Sequence, residues 1–345
     1  MKSLFLKERR LHKIEQEPII FAIETSCDET AVAILQGANN LLSNIVVSQI
    51  DIHKVFGGVV PEVAARKHVE FLYKLTQLAF EQSRIAPHQI NAVAVSYGPG
   101  LIGSLLVGTS FAKGMSLSFN TPFIGVNHLI GHIYANFLDF PDLKPPFLTL
   151  LVSGGHTMLL LTKDYLEFEI IGQTRDDAAG EAFDKVARIL GLGYPGGPII
   201  EETAKNGKHI YDFPKPLLNE GYDFSFSGLK TSVLYFVNEH PEARIEDIAA
   251  SFQEAITDTL VHKVTKYALE NNIHDIVIAG GVASNSVLRT KLDKFKNKIN
   301  IYYPRLIFCT DNAAMIARAA YEKYKRGLIN SLDLDVSPNL GLSEI

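Results

Sequence analysis

Short apolar blocks and longer amphipathic stretches alternate along this chain. Residues 19–25 (IIFAIET) and 31–35 (AVAIL) are strand-like blocks around the polar turn Ser26-Cys27-Asp28-Glu29-Thr30, a pattern that predicts a β-hairpin. Residues 147–152 (FLTLLV) and 158–162 (MLLLT) repeat that design around Ser153-Gly154-Gly155-His156-Thr157. Two related lobes are therefore expected, residues 19–145 and 146–311, with residues 312–345 returning to complete the first. Two further units read as strand, glycine turn and helix: AVAVSYGPGLIGSLLVGTSFAKGMSL, broken by Pro99 and Gly100, and DIVIAGGVASNSVLR, broken by Gly280 and Gly281. Gly103 and Gly108, inside the first of these helices, each cost about 1 kcal/mol relative to alanine, which points to close packing against a sheet.

Residues 61–82 set Val63, Ala64, Phe71, Leu75 and Leu78 at helical spacing, and residues 249–269 and 312–325 are amphipathic in the same way. Strands and helices of these lengths in alternation give an α/β protein with helix-covered sheets. The three prolines of residues 139–146 (DFPDLKPP) forbid both helix and central strand, so the linker between lobes falls there.

A chain of 345 residues exceeds what one hydrophobic core usually serves. Its net charge of −5 excludes coating of nucleic acid by bulk electrostatics and leaves room only for a focused site. The one local basic stretch, Lys291, Lys294, Lys296 and Lys298, reads as a solvated helix face. Cys27 and Cys309 are the only cysteines, which gives no disulfide framework and suits a reducing cytoplasm. No apolar run approaches the roughly 18 residues that span a bilayer, so no membrane partner is expected. Residues 1–18 mix Lys7, Arg9, Arg10 and Lys13 with Glu8, Glu15 and Glu17, a charged, frayed-helix extension rather than a signal or transit peptide.

His128 and His132 lie in VNHLIGH, after a short apolar strand and behind Asn127, a good N-cap. Their i,i+4 spacing puts both imidazoles on one helix face, as a shared divalent ion requires. Taken alone, such a pair reads more readily as two solvated or core histidines. The intervening Leu129, Ile130 and Gly131 lack the glutamate base of an HExxH protease, which argues against proteolysis. Gly154 and Gly155 let backbone N–H groups approach an anion. Asp28 and Glu29, in a turn, suit management of a metal or a proton. In RDDAAGEAFDKVARILGLGYPGGP, Asp176 or Asp177 is expected to cap a helix carrying Glu181, Asp184 and Lys185, with YPGGP a rigid turn. Asp184 and the backbone at Gly196 and Gly197 could then meet ribose hydroxyls. Asn285 falls in the first turn of a helix, its amide placed to face an adenine or ribose. Asp311 and Asn312 open the last long helix, where N-capping is the default role of an aspartate.

The ordered set ETSCDET, GGVVPEVAAR, YGPGLIGSLLVG, NHLIGH, LVSGGHT, DDAAGEAFDK, GLGYPGGP, FSFSGLKT, AGGVASN and CTDNAAMIA resembles the tRNA N(6)-adenosine threonylcarbamoyltransferase family, formerly called O-sialoglycoprotein endopeptidases, over residues 19–330. The resemblance implies a duplicated actin-like ATPase fold with nucleotide between the lobes. It implies one divalent metal, Fe(2+) ahead of Zn(2+), on His128, His132 and Asp311. Nucleotide-binding positions carry over to Leu151, Val152, Ser153, Gly154, Gly155, Asp184, Gly197 and Asn285. The implied donor is threonylcarbamoyl-AMP, with ATP or AMP sharing the site. The acceptor is the exocyclic amine of the adenosine beside the anticodon in tRNAs that read codons beginning with A. A threonylcarbamoyl-AMP synthase would supply the donor, and a silent paralogous subunit and a P-loop ATPase would complete the complex. Asp28 and Glu29 become candidates for proton handling or support around the metal. The rival from another class, a non-catalytic nucleotide-binding scaffold, predicts loss of the metal ligands, yet all three are present. The N-terminal extension alone departs from a bacterial member.

Overall fold

The computed structural model describes residues 17–342, so the reading of residues 1–16 as a frayed charged helix lies outside the described residues. The first sheet contains β1 (Ile19–Glu24), β2 (Glu29–Gln36), β3 (Asn40–Ser48), β4 (Ala92–Gly98) and β5 (Phe123–Asn127) in the order β3-β2-β1-β4-β5. The second contains β6 (Phe147–Val152), β7 (Thr157–Asp164), β8 (Glu167–Gln173), β9 (Asp275–Ala279) and β10 (Asn300–Tyr302) in the order β10-β9-β6-β7-β8. Each sheet runs antiparallel through its first three strands and parallel through its last two, so the second repeats the first strand for strand. The two expected hairpins are β1–β2 and β6–β7.

Helices α1 (Ile50–Lys54), α2 (Pro61–Ser83), α3 (Ile102–Phe119) and α4 (His128–Asp139) belong to the first half of the chain. Helices α5 (Ala179–Ile189), α6 (Gly196–Ala204), α7 (Ser227–Glu239), α8 (Ile245–Glu270), α9 (Ser286–Asp293), α10 (Leu306–Cys309) and α11 (Ala313–Lys325) follow. No described helix is long and apolar enough to cross a membrane. α8 begins four residues before the amphipathic stretch read from the sequence. Leu78 of α2, expected inside, is largely exposed, and Leu72 and Ala79 hold the buried face with Leu75.

β1 is apolar on both faces because helices cover both, as a sheet with parallel strands requires. Ile19, Phe21 and Ile23 join a core under α2 and α3, while Ile20 and Ala22 turn toward a central core shared with the second sheet. α4 and α11 fill that central core, with Leu129, Ile130 and Ile133 of α4 against Met315 and Ile316 of α11. Gly131 permits the contact, since a Cβ there would lie 2.8 Å from Ile316 Cδ1. Gly108 does the same for α3, where a Cβ would meet Thr25 Oγ1 at 2.1 Å, which bears out the close packing expected of this helix. The histidine-bearing helix is thereby held between the two sheets.

Candidate metal and nucleotide site

Asn127 caps α4, its Oδ1 accepting from the Leu129 N–H at 2.9 Å. His128 and His132 therefore start successive turns on one face, with ring centroids 4.7 Å apart. The Nε2 atoms of His128 and His132 approach Asp311 Oδ1 to 3.6 Å and 3.2 Å. One donor atom from each of the three lies within 4.8 Å of the others, close enough to hold a metal ion. Asp311 is free for this because Asn312 is the cap of α11, accepting from the Met315 N–H at 3.0 Å. The default capping role for Asp311 is thus overturned by its neighbour.

Glu24 completes the arrangement and was not singled out from the sequence. Its Oε2 lies 3.0 Å from His128 Nδ1, and Ser26 Oγ lies 3.1 Å from the same nitrogen. Its Oε1 accepts from the Ser26 N–H at 2.5 Å. Strand alternation explains the placement, since Ile20, Ala22 and Glu24 share the β1 face turned toward α4. A fully buried carboxylate at the end of an apolar strand, on the inward phase, was the available signal. It holds a proton of His128 on Nδ1, so that Nε2, which faces Asp311, is the nitrogen a metal would take in exchange for the second proton. His132 Nδ1, by contrast, is buried without a partner among the described residues.

Burial depresses the basicity of His128, but the Glu24 and Asp311 carboxylates outweigh it and raise its pKa to about 9. Asp311, which burial alone would push up, is lowered to about 2 by His128 and then His132. A proton thus stands in for the cation that this acidic pocket favours. A raised folded-state pKa gives stability that is complete below the unfolded value of 6.5 and is lost as pH rises through about 9. The Asp311 contribution is lost only as pH falls through about 2, outside that window. Metal-free protein should therefore melt at progressively lower temperature from pH 6.5 to 9, while metal-loaded protein should not show this loss. Scanning calorimetry of both forms checks this, and a pH-independent metal-free melt would contradict it.

Asp28 is buried in the turn between β1 and β2, and Glu29 opens β2 with Oε1 accepting from Ser48 Oγ at 3.0 Å. Burial, then the charges of Asp311 and Asp28, push the Glu29 carboxyl pKa well above its ordinary value. The turn accordingly stands beside the His-His-Asp cluster. His156 also feels that cluster, and burial followed by His128 and His132 lowers its pKa to about 4, which keeps it neutral. Tyr194 is held protonated by burial and then by Asp28 and Asp184, which places the GYPGGP segment opposite the acidic turn. His156 and Tyr194 sat inside quoted motifs but were not picked out as site residues.

In the SGG turn, Ser153 N–H donates to His156 O at 2.8 Å and His156 N–H to Ser153 Oγ at 3.2 Å. A Cβ on Gly154 or Gly155 would meet no protein atom within 4 Å, so protein packing does not demand glycine at either position. Open space over two exposed backbone amides is what an anion would fill. Leu151 and Val152 are fully buried in β6, so they reach the site only through the strand end that carries the turn. Asp184 Oδ1 accepts from the Gly196 N–H at 2.7 Å, which joins it to the start of α6 and to Gly197.

Several expectations are corrected. Neither Asp176 nor Asp177 caps α5, whose N-cap is Ala178. Asp176 instead accepts from the Phe226 N–H at 2.7 Å and Ser225 Oγ at 2.5 Å, and Asp177 pairs with Lys185 at 2.8 Å and Lys230 at 3.0 Å. Long-range partners there satisfy the carboxylates better than a local turn does. GGP of YPGGP begins α6 rather than forming a free turn. Asn285 is the N-cap of α9, not in its first turn, and its amide donates to Gln253 Oε1 at 2.8 Å and Glu201 Oε2 at 3.3 Å. A buried amide must be hydrogen-bonded, and here the protein does it. The basic stretch is partly neutralised: Lys291 pairs with Asp258 at 2.5 Å and Glu254 at 2.9 Å, and Lys296 with Asp293 at 2.9 Å.

Two five-stranded sheets, the second repeating the first strand for strand, define a protein of the duplicated actin-like ATPase fold. Solved structures share this architecture. HypF of T. kodakarensis matches with TM-score 0.62 and 15% identity, covering 91% of this chain and 48% of that one. Component A of the (R)-2-hydroxyglutaryl-CoA dehydratase of Acidaminococcus fermentans matches with TM-score 0.55 and 14% identity, covering 89% and 99%. Residues 40–318 match the model of the family TsaD: tRNA N6-adenosine threonylcarbamoyltransferase. The protein of that name in Kosmotoga olearia is 58% identical over 326 residues, 94% of this chain and 98% of its own length. That of Clostridioides difficile is 52% identical over 334 residues, 94% and 99%. The chain belongs to the tRNA N6-adenosine threonylcarbamoyltransferase family and is a transferase.

Proposed function

We propose that this chain transfers a threonylcarbamoyl group from threonylcarbamoyl-AMP to the exocyclic amine of the adenosine beside the anticodon in tRNAs reading codons that begin with A. The amine nitrogen bonds to the carbamate carbonyl carbon, the bond from that carbon to the phosphate oxygen breaks, and AMP leaves with the negative charge. The observation that carries this reading is the buried cluster of His128, His132 and Asp311 with Glu24 behind it, beside the open SGG turn. A non-catalytic scaffold has no use for such a set. Two imidazoles and a carboxylate suit iron or zinc, and a divalent ion bound there supplies Lewis-acid polarisation of the acyl carbonyl.

The chain's own residues do the remaining work. The N–H groups of Gly154 and Gly155 receive the phosphate as charge develops on it. The Ser153 N–H is already taken by His156 O, which narrows the cradle to two amides. Asp184 with Gly197 faces the nucleoside hydroxyls, while Leu151, Val152 and Asn285 hold the strand end and helix start around them. Asp28, with Glu29 beside it in the turn, is the acceptor for the proton that the amine must shed. Nucleotide thus lies between the lobe of residues 19–145, completed by 312–345, and the lobe of residues 146–311.

A net charge of −5, with Lys291 of α9 and the nearby Lys296 ion-paired, favours tRNA docking by an assembly. We assign that assembly a silent paralogous subunit and a P-loop ATPase, with the adenylate made by a separate synthase in the cytoplasm. Purified chain given tRNA, threonylcarbamoyl adenylate and Fe(2+) should yield little modified nucleoside, and adding both partners should restore repeated turnover. Absence of product from the full set would refute the transfer. Vigorous turnover by the chain alone would refute the division of labour.

A further inference from the structure

The segment between β3 and α2 is built on the acidic turn. Gln49 N–H donates to Asp28 O at 3.0 Å, and Ser48 Oγ, which donates to Glu29, also accepts from the Ile50 N–H at 3.2 Å. A buried polar relay runs in parallel. His53 Nδ1 accepts from the Val60 N–H at 3.3 Å, so its Nε2–H donates to Gln49 Oε1 at 3.3 Å. Gln49 Nε2 is then left to donate to Ala64 O at 3.4 Å and toward His68 Nδ1 at 3.5 Å, which also receives Thr30 Oγ1 at 2.8 Å. His68 Nε2–H ends the relay on Cys27 O at 2.9 Å. Gln49, His53 and His68 are wholly buried, burial keeps His68 neutral, and every donor in the relay meets an acceptor.

This framework supports a tip that stands exposed among the described residues. Val55 is 80% and Phe56 61% exposed, and the turn behind them is braced by Phe56 N–H to His53 O at 2.9 Å and Gly57 N–H to Lys54 O at 3.1 Å. Gly57 has φ +69°, which favours glycine, and open space surrounds both Gly57 and Gly58. Among the described residues three aromatic side chains stand largely exposed, Phe56, Tyr73 and Tyr235, and only the first is hydrogen-bonded through its base to the Cys27–Glu29 turn. Lys54 stands exposed beside it.

We propose that Phe56 is a stacking platform for an unpaired base of the tRNA anticodon loop, held in register with the reacting centre by the Gln49–His53–His68 relay. The inference rests on the transfer reading above. Unpaired RNA bases are recognised by stacking on aromatic rings and by hydrogen bonds to their edges, and stacking is a contact that a net-acidic protein can offer. Five helical residues at about 1.5 Å rise, plus the turn, set the ring on the order of 10 Å from the acidic turn. Stacked bases repeat at about 3.4 Å, so the platform receives a nucleotide flanking the target rather than the target itself. A flat apolar ring with a lysine beside it matches a base with its phosphate.

The test is binding and transfer with an anticodon stem-loop RNA carrying 2-aminopurine next to the target adenosine, using the full chain together with the partner subunits proposed above. Phe56→Ala should raise the KM for RNA by roughly five- to a hundredfold and abolish the 2-aminopurine quench. It should leave kcat, metal content and nucleotide affinity near wild type, and Phe56→Trp should restore RNA binding. Wild-type RNA affinity and quench in Phe56→Ala would overturn the inference. So would loss of subunit association with RNA affinity intact, which would make the tip a protein contact. Failure of the transfer reading itself would be distinct, since wild-type protein would then give no modified nucleoside at all.

Discussion

His132→Ala should leave the protein folded, strip most of its bound metal and lower transfer by roughly 10²- to 10⁴-fold, the equivalent of several kcal/mol of Lewis-acid stabilisation. The fold survives because α4 is anchored by Leu129, Ile130 and Ile133 in the central core, not by the imidazole. His132 Nδ1 has no partner to orphan among the described residues, and the lost contact is the 3.2 Å approach of Nε2 to Asp311. His128→Ala should cost the same activity and more stability, since it also leaves buried Glu24 unpaired. Glu24→Ala should weaken metal binding by roughly 10- to 100-fold, as loss of an outer carboxylate on a ligating histidine does. Metal stoichiometry by mass spectrometry and secondary structure by circular dichroism separate these cases. Wild-type metal content in His132→Ala would remove the residue from the site.

Gly154→Val should weaken binding of the adenylate and of ATP by roughly ten- to a hundredfold, about what one lost charge-assisted hydrogen bond of 1.5–3 kcal/mol implies. The fold gives this substitution unusual clarity. A Cβ at Gly154 meets no non-neighbouring protein atom within 4 Å, so the first added carbon finds open space. Gly180→Val would not serve, because its Cβ would lie 2.6 Å from Ser153 O and disturb the turn itself. Isothermal calorimetry on folded Gly154→Val protein decides the matter, and unchanged affinity would move the phosphate elsewhere.

Much of this was legible along the chain because it is local. The two hairpins follow from apolar blocks around polar turns, and the histidine pair follows from i,i+4 spacing behind a capping asparagine. Asp311 became a site residue only through family resemblance, since its neighbour's capping role cannot be told from its own until the α11 N-terminus is seen. What stayed hidden depends on contacts across long separations. Glu24 meets His128 over 104 residues. Asp176 looked like a helix cap, yet its partners Phe226 and Ser225 lie about fifty positions away. Asn285 offered an amide that local pattern assigns to a ligand, whereas Gln253 of α8 takes it. In the relay through Gln49, His53 and His68, only the Gln49–His53 link has helical i,i+4 spacing, whereas His68 reaches Gln49, Thr30 and Cys27 across other elements. Glutamate and histidine inside apolar runs are the residues whose roles depend most on the partner that arrives from elsewhere, and local periodicity cannot name that partner.

The proposed activity places tRNA modification at the His128, His132 and Asp311 centre. Its most direct test is mass spectrometry of tRNA nucleosides from cells depleted of the protein and rescued with wild-type or His132→Ala chains. Threonylcarbamoyladenosine should vanish on depletion, return with the wild type and stay absent with His132→Ala at equal protein level. Persistence of the nucleoside after depletion, or its full return with the variant, would contradict the account.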